Sequence, residues 1–286
     1  MAAANSQVPP NAMSKIEGDT YPVLRTEKES ARLFSQLGLI SHALGGLVQA
    51  PVDLSQPNLR ILDVGAGTGR WLSMVQESMT PSARATATLQ GTDIAPYPDC
   101  APGISIELHS FKNPFPEEWE ASFDLVHMGS CLMMSPGDEA PRLVARLARL
   151  VKPGGWLQLS DAAMSIDPVG EADMPHERLY KTMGKCVRDM GMDPTQGGRL
   201  TELLGAAGAD LAEVASKAAP IKIGKTASEE MESQTYQYID MMFGNLLHAA
   251  QVLNLEGIPE LKEEVLDEAR TKGFDFMFYA AWGRRN

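Results

Sequence analysis

Residues 60–71 read Arg60-Ile61-Leu62-Asp63-Val64-Gly65-Ala66-Gly67-Thr68-Gly69-Arg70-Trp71 and decide the fold of this chain. The stretch joins a short apolar run, typical of a buried strand, to three alternating glycines. Glycine tolerates positive φ and lets the backbone approach a ligand closely, so a strand that runs into such a turn is typical of nucleotide-binding folds. The stretch therefore predicts a cofactor-binding turn, with a merely tight turn as the alternative.

The spacing of the glycines bears on which cofactor binds. A dinucleotide-binding turn reads G-x-G-x-x-G, and its third glycine lets the following helix pack closely. Here the glycines are Gly65, Gly67 and Gly69, and Arg70 occupies the place of the third glycine of that pattern. This spacing disfavours NAD.

A second strand ends in another acidic residue. The segment Leu89 to Ile94 is followed along the chain by a turn, and it contains Asp93 near its end. In nucleotide-binding folds one carboxylate at this position accepts hydrogen bonds from both ribose hydroxyls. Asp93 is therefore predicted to bind a ribose, the alternative being an ordinary turn-capping Asp. The residues from Thr80 to Thr86 are predicted to form a looped extension between the two strands.

Two later segments complete the alternation of strands and helices. Phe123 to Met128 is an apolar run, and Leu157 to Leu159 follows the turn Pro153-Gly154-Gly155. Apolar strands alternating with helices indicate an α/β fold with a parallel sheet covered on both faces. Ligands bind such sheets at the carboxyl ends of the strands.

Several of these motifs together resemble the class I S-adenosylmethionine-dependent methyltransferases. More narrowly, they resemble the fungal secondary-metabolism branch that includes the velvet-associated global regulator of metabolite clusters. The matching motifs are residues 67–71, 91–96, 123–127, 152–156 and 278–284. The resemblance extends from about residue 20 to the end of the chain.

This resemblance implies a Rossmann-like, doubly wound sheet of seven strands with a helical substrate cap. The last strand, Phe274 to Trp282, is expected to run antiparallel to its neighbours. Residues 1–19 are predicted to be disordered because of their composition, and residues 20–286 to form a single domain. The cap is expected to consist of an N-terminal helix and two helical insertions, at about 162–210 and 228–272.

The resemblance also implies S-adenosylmethionine as the cofactor. Asp63 would bind the ammonium of the methionine moiety, directly or through water. Relatives carry an Asp after the third strand that accepts from the adenine amine, and here Ser110 occupies that place, so weaker binding is expected. The predicted cofactor-binding residues are Asp63, Gly65, Ala66, Gly67, Gly69, Asp93, Ile94, Ser110, Phe111, Met128 and Gly129.

A general base is needed only if the acceptor must lose a proton. Of the five histidines, His127 also occurs in relatives and is expected to be structural, and His109 lies nearer the adenine. His176 and His248 remain as the two that can face an acceptor, the alternative for each being a surface or core position.

Composition narrows the range of partners. The chain has 286 residues and a net charge of −12 without a basic cluster, which disfavours a nucleic-acid acceptor and favours a small molecule. No stretch is long and apolar enough for a membrane span, and the start is unlike a signal peptide, so we expect a cytoplasmic protein, or a nuclear one if it is regulatory. A homodimer is compatible with the sequence. Three cysteines without ligand spacing predict neither a disulfide framework nor a metal site.

Three functions remain open at this stage. The favoured one is methyl transfer to an O or N atom of a small specialised metabolite. The second is a non-methylating enzyme, such as a cyclase, that uses the sulfonium charge of S-adenosylmethionine to polarise its substrate. The third is a regulatory binding protein on the same scaffold. The chain also has 16 methionines, which suit either an ordinary core or a pocket for an irregular apolar substrate.

Overall fold

The computed structural model describes most of the chain after its first 26 residues. The described residues are 27–94, 104–165, 167–170, 172–208, 211–253 and 255–286, without the side chains of 245, 248 and 250–252. The predicted disordered segment 1–19 lies outside them. So do Cys100 and the side chain of His248.

Seven strands form one mixed sheet. They are β1 (Arg60–Val64), β2 (Thr88–Asp93), β3 (Ser105–Leu108), β4 (Phe123–Gly129), β5 (Val151–Ala162), β6 (Leu211–Ile223) and β7 (Phe274–Arg285). Their order is β3-β2-β1-β4-β5-β7-β6, with β1 to β5 parallel and β7 antiparallel to both of its neighbours. The predicted Rossmann-like sheet with an antiparallel last strand is confirmed. Strand order reverses between β1 and β4, which is where such sheets bind ligands.

Eight α-helices flank the sheet in the part of the chain described. They are α1 (Glu27–Leu44), α2 (Arg70–Ser78), α3 (Pro81–Thr86), α4 (Glu139–Leu150), α5 (Pro175–Asp189), α6 (Leu200–Ala206), α7 (Glu229–Leu253) and α8 (Ile258–Thr271). Within the described ranges, none of the helices has both the length and the apolar character needed to span a bilayer.

The central strand β1 shows how the apolar run of the sequence sets the layers. Leu62 and Val64 are fully buried in the cluster that contains the inner face of α4, whereas Ile61 is buried in the cluster that contains the inner face of α2. Side chains alternate along a strand, so Asp63 shares the face of Ile61. The first acidic residue of the glycine motif is therefore directed to the α2 side of the sheet.

Two details differ from the expectations drawn from sequence. The predicted loop from Thr80 to Thr86 is the short helix α3, because Thr80 Oγ1 accepts a hydrogen bond from the Ala83 amide at 3.3 Å and Pro81 suits the first helical position. The sequence pattern predicts one strand near Leu211 to Ala215 and another at Pro220 to Ile223, but β6 is continuous and its pairing with β7 merely shifts register between Ala212 and Ala215.

The remaining helices form a cap at the β6–β7 end of the sheet. We call α1, α5, α7 and α8 the cap helices. They share one apolar cluster with β6 and β7, which includes Ile40, Leu179, Ile221, Ile239, Phe243, Val265, Phe276 and Phe278. The cap is therefore part of the same folded unit as the sheet.

Candidate active site

A cavity of about 490 Å³ lies at the carboxyl ends of β1, β2, β4 and β5. The turn after β1 and the ends of β2 and β4 form one part of its lining, which we call the cofactor end. Helices α5 and α7, together with β7, form another part, which we call the acceptor end. Helix α1 lines the cavity along both, since Leu37 packs in the cluster of Trp71 and Ile40 in the cluster of the cap.

The glycine turn has the backbone that its sequence demands. Gly65, Gly67 and Gly69 have φ angles of 75°, 55° and 72°, which residues with a Cβ rarely adopt. A Cβ on Gly65 would also lie only 2.5 Å from Sγ of Cys131. Glycine is needed at Gly65 both for the angle and for the space, because the loop after β4 packs directly against the turn.

Hydrogen bonds fix the turn to the end of β2. The amides of Gly65 and Ala66 donate to the carbonyl of Thr92 at 2.9 and 2.8 Å. The amide of Gly67 donates to Oδ2 of Asp93 at 2.8 Å. Asp93 is buried and lines the cavity, so the structure brings the two acidic strand ends of the sequence together around the turn.

Asp63 belongs to a buried polar chain that crosses three strands. Its Oδ1 accepts from Nδ1 of His127 at 2.8 Å, and Nε2 of His127 lies 3.1 Å from Oγ of Ser160. Trp71 stacks on the His127 ring, with centroids 3.9 Å apart and planes 4° apart. Burial raises the pKa of the Asp63 carboxyl, and the charge and hydrogen bond of His127 oppose that rise. The orientation of this carboxylate is thus set before any ligand binds.

The part of the cavity beyond β3 differs from the prediction. His109 and Phe111 line the cavity, but Ser110 does not. Ser110 is buried, and its Oγ accepts from the amide of Lys112 at 3.1 Å. Nε2 of His109 is buried without a hydrogen-bond partner among the described residues, and burial lowers the pKa of this imidazole. His109 therefore carries an unpaired buried polar atom at this end of the cavity, and Nε of Arg70 is another.

The ends of β2 and β4 place the remaining predicted cofactor residues. Ile94 and Gly129 line the cavity, whereas Met128 does not. Met128 is fully buried in the cluster that contains the inner face of α4, because the alternation of β4 turns it away from the face that carries His127. Of the two neighbouring residues predicted on this strand, Gly129 lines the cavity and Met128 does not.

His176, one of the two predicted bases, lies outside the cavity lining. Its Nδ1 pairs with Oε1 of Glu268 at 2.8 Å, and its ring stacks on Phe274 with centroids 5.0 Å apart. These contacts tie the start of α5 to α8 and β7. The structure gives His176 a place in the packing of the cap, away from the acceptor. His248, the other predicted base, belongs to α7, but its side chain lies outside the described part.

Methionines form much of the wall at the acceptor end. They come from the loops after β4 and β5, from α5 and the residues after it, and from α7. The seven that line the cavity are Met133, Met134, Met164, Met183, Met190, Met192 and Met242. Flexible thioethers adapt to apolar ligands of irregular shape. The sequence indicated this pocket by composition but could not select these seven.

One carboxylate interrupts the apolar wall. Asp161, near the end of β5, is completely buried and lines the cavity. Its Oδ2 accepts from the amide of Leu132 at 3.1 Å, and its Oδ1 accepts from the amide of Ala162 at 2.9 Å. Burial raises the pKa of Asp161 to about 7. The sequence analysis missed this residue, because only its position at the carboxyl end of β5 pointed to the crevice.

No group of three or more His, Cys, Asp or Glu side chains in the described ranges is arranged to hold a metal ion. The donor set instead suits an organic cofactor with a ribose and an amine. It comprises the carboxylates of Asp63 and Asp93, the backbone of the glycine turn and the unpaired nitrogen of His109.

Comparison with known proteins defines the class. Residues 32–214 match the methyltransferase domain family. N-methyltransferase tcpN of Claviceps purpurea is 31% identical over 95% of this chain and 99% of that protein. N-methyltransferase sirN of Leptosphaeria maculans is 30% identical over 91% of this chain and 92% of that protein.

Solved structures with a similar fold include phosphoethanolamine N-methyltransferase 2 of Haemonchus contortus in complex with S-adenosyl-L-methionine. The identity is 12% and the TM-score 0.46, over 88% of this chain and 53% of that chain. A methyltransferase of Thermotoga maritima is 16% identical with a TM-score of 0.47, over 91% of this chain and 95% of that chain.

The chain belongs to the methyltransferase domain family. It is an S-adenosylmethionine-dependent methyltransferase, and its substrate is a small molecule.

Proposed function

We propose that the protein transfers a methyl group to a nitrogen atom of a small, largely apolar specialised metabolite. The relatives tcpN and sirN, which match nearly the whole chain, are N-methyltransferases. The observation that carries the proposal is the continuity of the cavity, which runs from the carboxylates of Asp63 and Asp93 to the methionine wall without a partition. Donor and acceptor can therefore meet in one continuous space.

We assign the cofactor to the turn and its neighbours. Asp93 would accept from the ribose hydroxyls, and the carboxylate of Asp63, held by His127, would bind the methionine ammonium. His109 takes the place that the prediction gave to Ser110. Because burial lowers its pKa, the imidazole stays neutral near pH 7 and its Nε2 can accept from the adenine amine. Affinity for the cofactor should then weaken on acidification in the wild type but not in His109→Phe, as measured by calorimetry.

When bound, S-adenosylmethionine supplies a methyl group on a positively charged sulfur. The acceptor would attack the methyl carbon in line with the bond to sulfur, and the sulfur would leave. The protein contributes alignment and the exclusion of water. Helix α1 supplies Leu33, Leu37, Ile40 and Leu44 to the wall, which covers the cavity with apolar surface. Water that entered the site would hydrate the acceptor nitrogen and slow its attack.

The test offers the enzyme pairs of apolar compounds that share a skeleton and differ only in carrying N–H or O–H, such as 2-naphthylamine and 2-naphthol. We expect a product heavier by one methylene from the amine, together with stoichiometric S-adenosylhomocysteine, measured by mass spectrometry. Asp93→Asn serves as the cofactor-site control and should lose both signals. Methylation of the naphthol alone would contradict nitrogen as the acceptor. An isomeric product without S-adenosylhomocysteine would favour the non-methylating enzyme.

A further inference from the structure

We propose that Asp161 is the catalytic residue that binds the N–H of the acceptor and takes its proton, and that the acceptor is otherwise apolar. This inference rests on the proposed function. It goes further by naming the residue on which the acceptor is anchored and the kind of molecule that fits.

The position of Asp161 is the first reason. The side chains of its neighbours Ser160 and Ala162 lie on the opposite face of β5, Ser160 against His127 and Ala162 in the apolar cluster of the cap. Oδ2 of Asp161 accepts from the amide of Leu132, which follows Cys131 next to the glycine turn. Asp161 therefore lines the cavity from the side of the loop after β4, next to the cofactor end.

The hydrogen bonds of Asp161 are the second reason. No cationic side chain of the described residues pairs with it, and its partners are the backbone amides of Ala162, Leu132 and Met133. An ionised carboxylate has about four acceptor positions, and these three amides occupy three of them. A fully buried carboxylate without a cation is costly to maintain, and a ligand N–H would offset part of that cost.

The surroundings of Asp161 indicate the class of acceptor. Two other carboxylates line the cavity, but Asp63 is engaged by His127 and Asp93 by the amide of Gly67. The acceptor end of the cavity is lined mainly by methionine, leucine and aromatic side chains. A compact, mostly apolar molecule that presents one N–H, such as a lactam, an indole or a secondary amine, matches one acceptor in an apolar wall.

The acid–base properties suit proton transfer near neutral pH. Burial raises the pKa of Asp161 to about 7, so the group can accept a proton and release it again. Other titratable or charged groups also face the cavity and contribute to any pH profile. They are Arg32, Asp63, Arg70, Asp93, His109, His127, Cys131, Cys186 and Tyr238.

Methyl transfer and proton transfer are coupled at the acceptor nitrogen. The acceptor nitrogen forms a bond to the methyl carbon while the bond from that carbon to sulfur breaks, and sulfur keeps the electron pair. The proton of the nitrogen moves to a carboxylate oxygen of Asp161, which later releases it to solvent. No oxidant or second substrate is needed.

The first experiment uses the wild-type protein with S-adenosylhomocysteine and two probes of nearly equal shape. Indole carries one N–H, whereas indene carries none. We expect indole to bind about tenfold more tightly, as for a hydrogen bond to a charged acceptor. In ¹³C spectra, indole but not indene should shift the carboxyl resonance of Asp161. Equal affinities, or a resonance that indole leaves unchanged, would overturn the proposal.

The second experiment compares Asp161→Asn with Asp124→Asn. Asp124 also accepts a backbone amide, that of Arg60 at 2.9 Å, but does not line the cavity. Asp161→Asn should reduce the preference for indole to about threefold or less and abolish the neutral-pH limb of methyl transfer, whereas Asp124→Asn should retain both. A folded Asp161→Asn protein with unchanged preference overturns the proposal. If Asp161→Asn does not fold, the wild-type resonance still decides.

The two proposals can fail separately. If the wild type methylates no amine but indole still shifts the Asp161 resonance, the proposal of N-methylation is wrong and the binding of an N–H by Asp161 is supported. If the wild type methylates amines and Asp161→Asn does so equally at every pH, the role of Asp161 falls and N-methylation stands.

Discussion

At the cofactor end of the cavity, hydrogen bonds and required backbone angles hold Asp63 and Asp93 in place, whereas at the acceptor end seven methionines and the cap helices make contacts without direction. The cofactor end is rigid, since moving either carboxylate would break its hydrogen bond to a neighbouring segment. The acceptor end can adjust side chain by side chain. This contrast between the two ends suits an enzyme that holds its methyl donor in one position and adapts its wall to the shape of the methyl acceptor.

The largest effect should come from adding one methyl group to the rigid end. Gly65→Ala combines a positive φ of 75° with an overlap against Sγ of Cys131, so we expect the affinity for S-adenosylmethionine to fall about 100-fold. Calorimetry measures the affinity. Gly257→Ala is the matched control, because Gly257 has the same φ and nothing within 4 Å of the added Cβ. It should lose about 1 kcal/mol of stability and no affinity. Similar affinities for the two variants would contradict a rigid turn.

Two histidines that each pair with a buried carboxylate at 2.8 Å allow a direct comparison of the cofactor end with the packing of the cap outside the cavity. His127→Ala leaves Asp63 buried without its partner, so we expect a loss of about 3 kcal/mol in the free energy of unfolding and about tenfold in cofactor affinity. His176→Ala should cost about 2 kcal/mol while the affinity stays unchanged. Chemical denaturation and calorimetry check both. Loss of methyl transfer in His176→Ala with intact acceptor binding would restore His176 as a base.

The pH dependence of stability tests the buried carboxylate of Asp161. The pKa of Asp161 is about 7 in the folded protein and lies near the ordinary Asp value in the unfolded chain. Between these values the folded state binds more protons, so its stability is highest at low pH and falls as the pH rises toward 7. Wild type should therefore lose on the order of 3 kcal/mol relative to Asp161→Asn between pH 4 and pH 7. Parallel pH profiles of thermal unfolding would show that Asp161 titrates normally.

The smallest effect is expected at the adaptable wall. Met183→Leu conserves volume and should change the half-saturating concentration of the best amine acceptor by less than about threefold. Met183→Gln places an amide in the apolar wall and should raise it about tenfold. Neither variant should alter cofactor affinity. Steady-state kinetics with the amine acceptor and with S-adenosylmethionine measure both quantities. If Met183 supported the cofactor instead, Met183→Gln would change the cofactor affinity and leave the half-saturating concentration of the amine unchanged.

The same division explains what could be predicted from sequence. The glycine turn, Asp63 and Asp93 follow one another over a short stretch, and local spacing specifies their chemistry. The contact of His127 with Asp63 depends on the pairing of β4 with β1, which brings together residues 64 positions apart. Past the end of β3, His109 and Phe111 line the cavity and Ser110 does not, and on β4 alternation places Gly129 on the lining and Met128 away from it.

The acceptor end was harder to predict for a physical reason. Apolar contacts carry no positional signature, so the seven lining methionines look like the other methionines of the chain. Asp161 also had no distinctive motif around it. The choice of His176 failed to anticipate its pairing with Glu268, a contact across 92 residues that only the packing of α5 on α8 creates.

The pairing of β5 with β7 has a consequence for how such a protein can diversify. The two strands pair from Trp156↔Arg284 to Ala162↔Phe278, so the chain returns to the sheet beside β5 after the long connections that carry α5, α7 and α8. Mutations can accumulate in those connections without disturbing the register of the sheet. A lineage can thus exchange one metabolite for another while inheriting its methyl donor unchanged, and a laboratory library confined to the same connections would follow the same route.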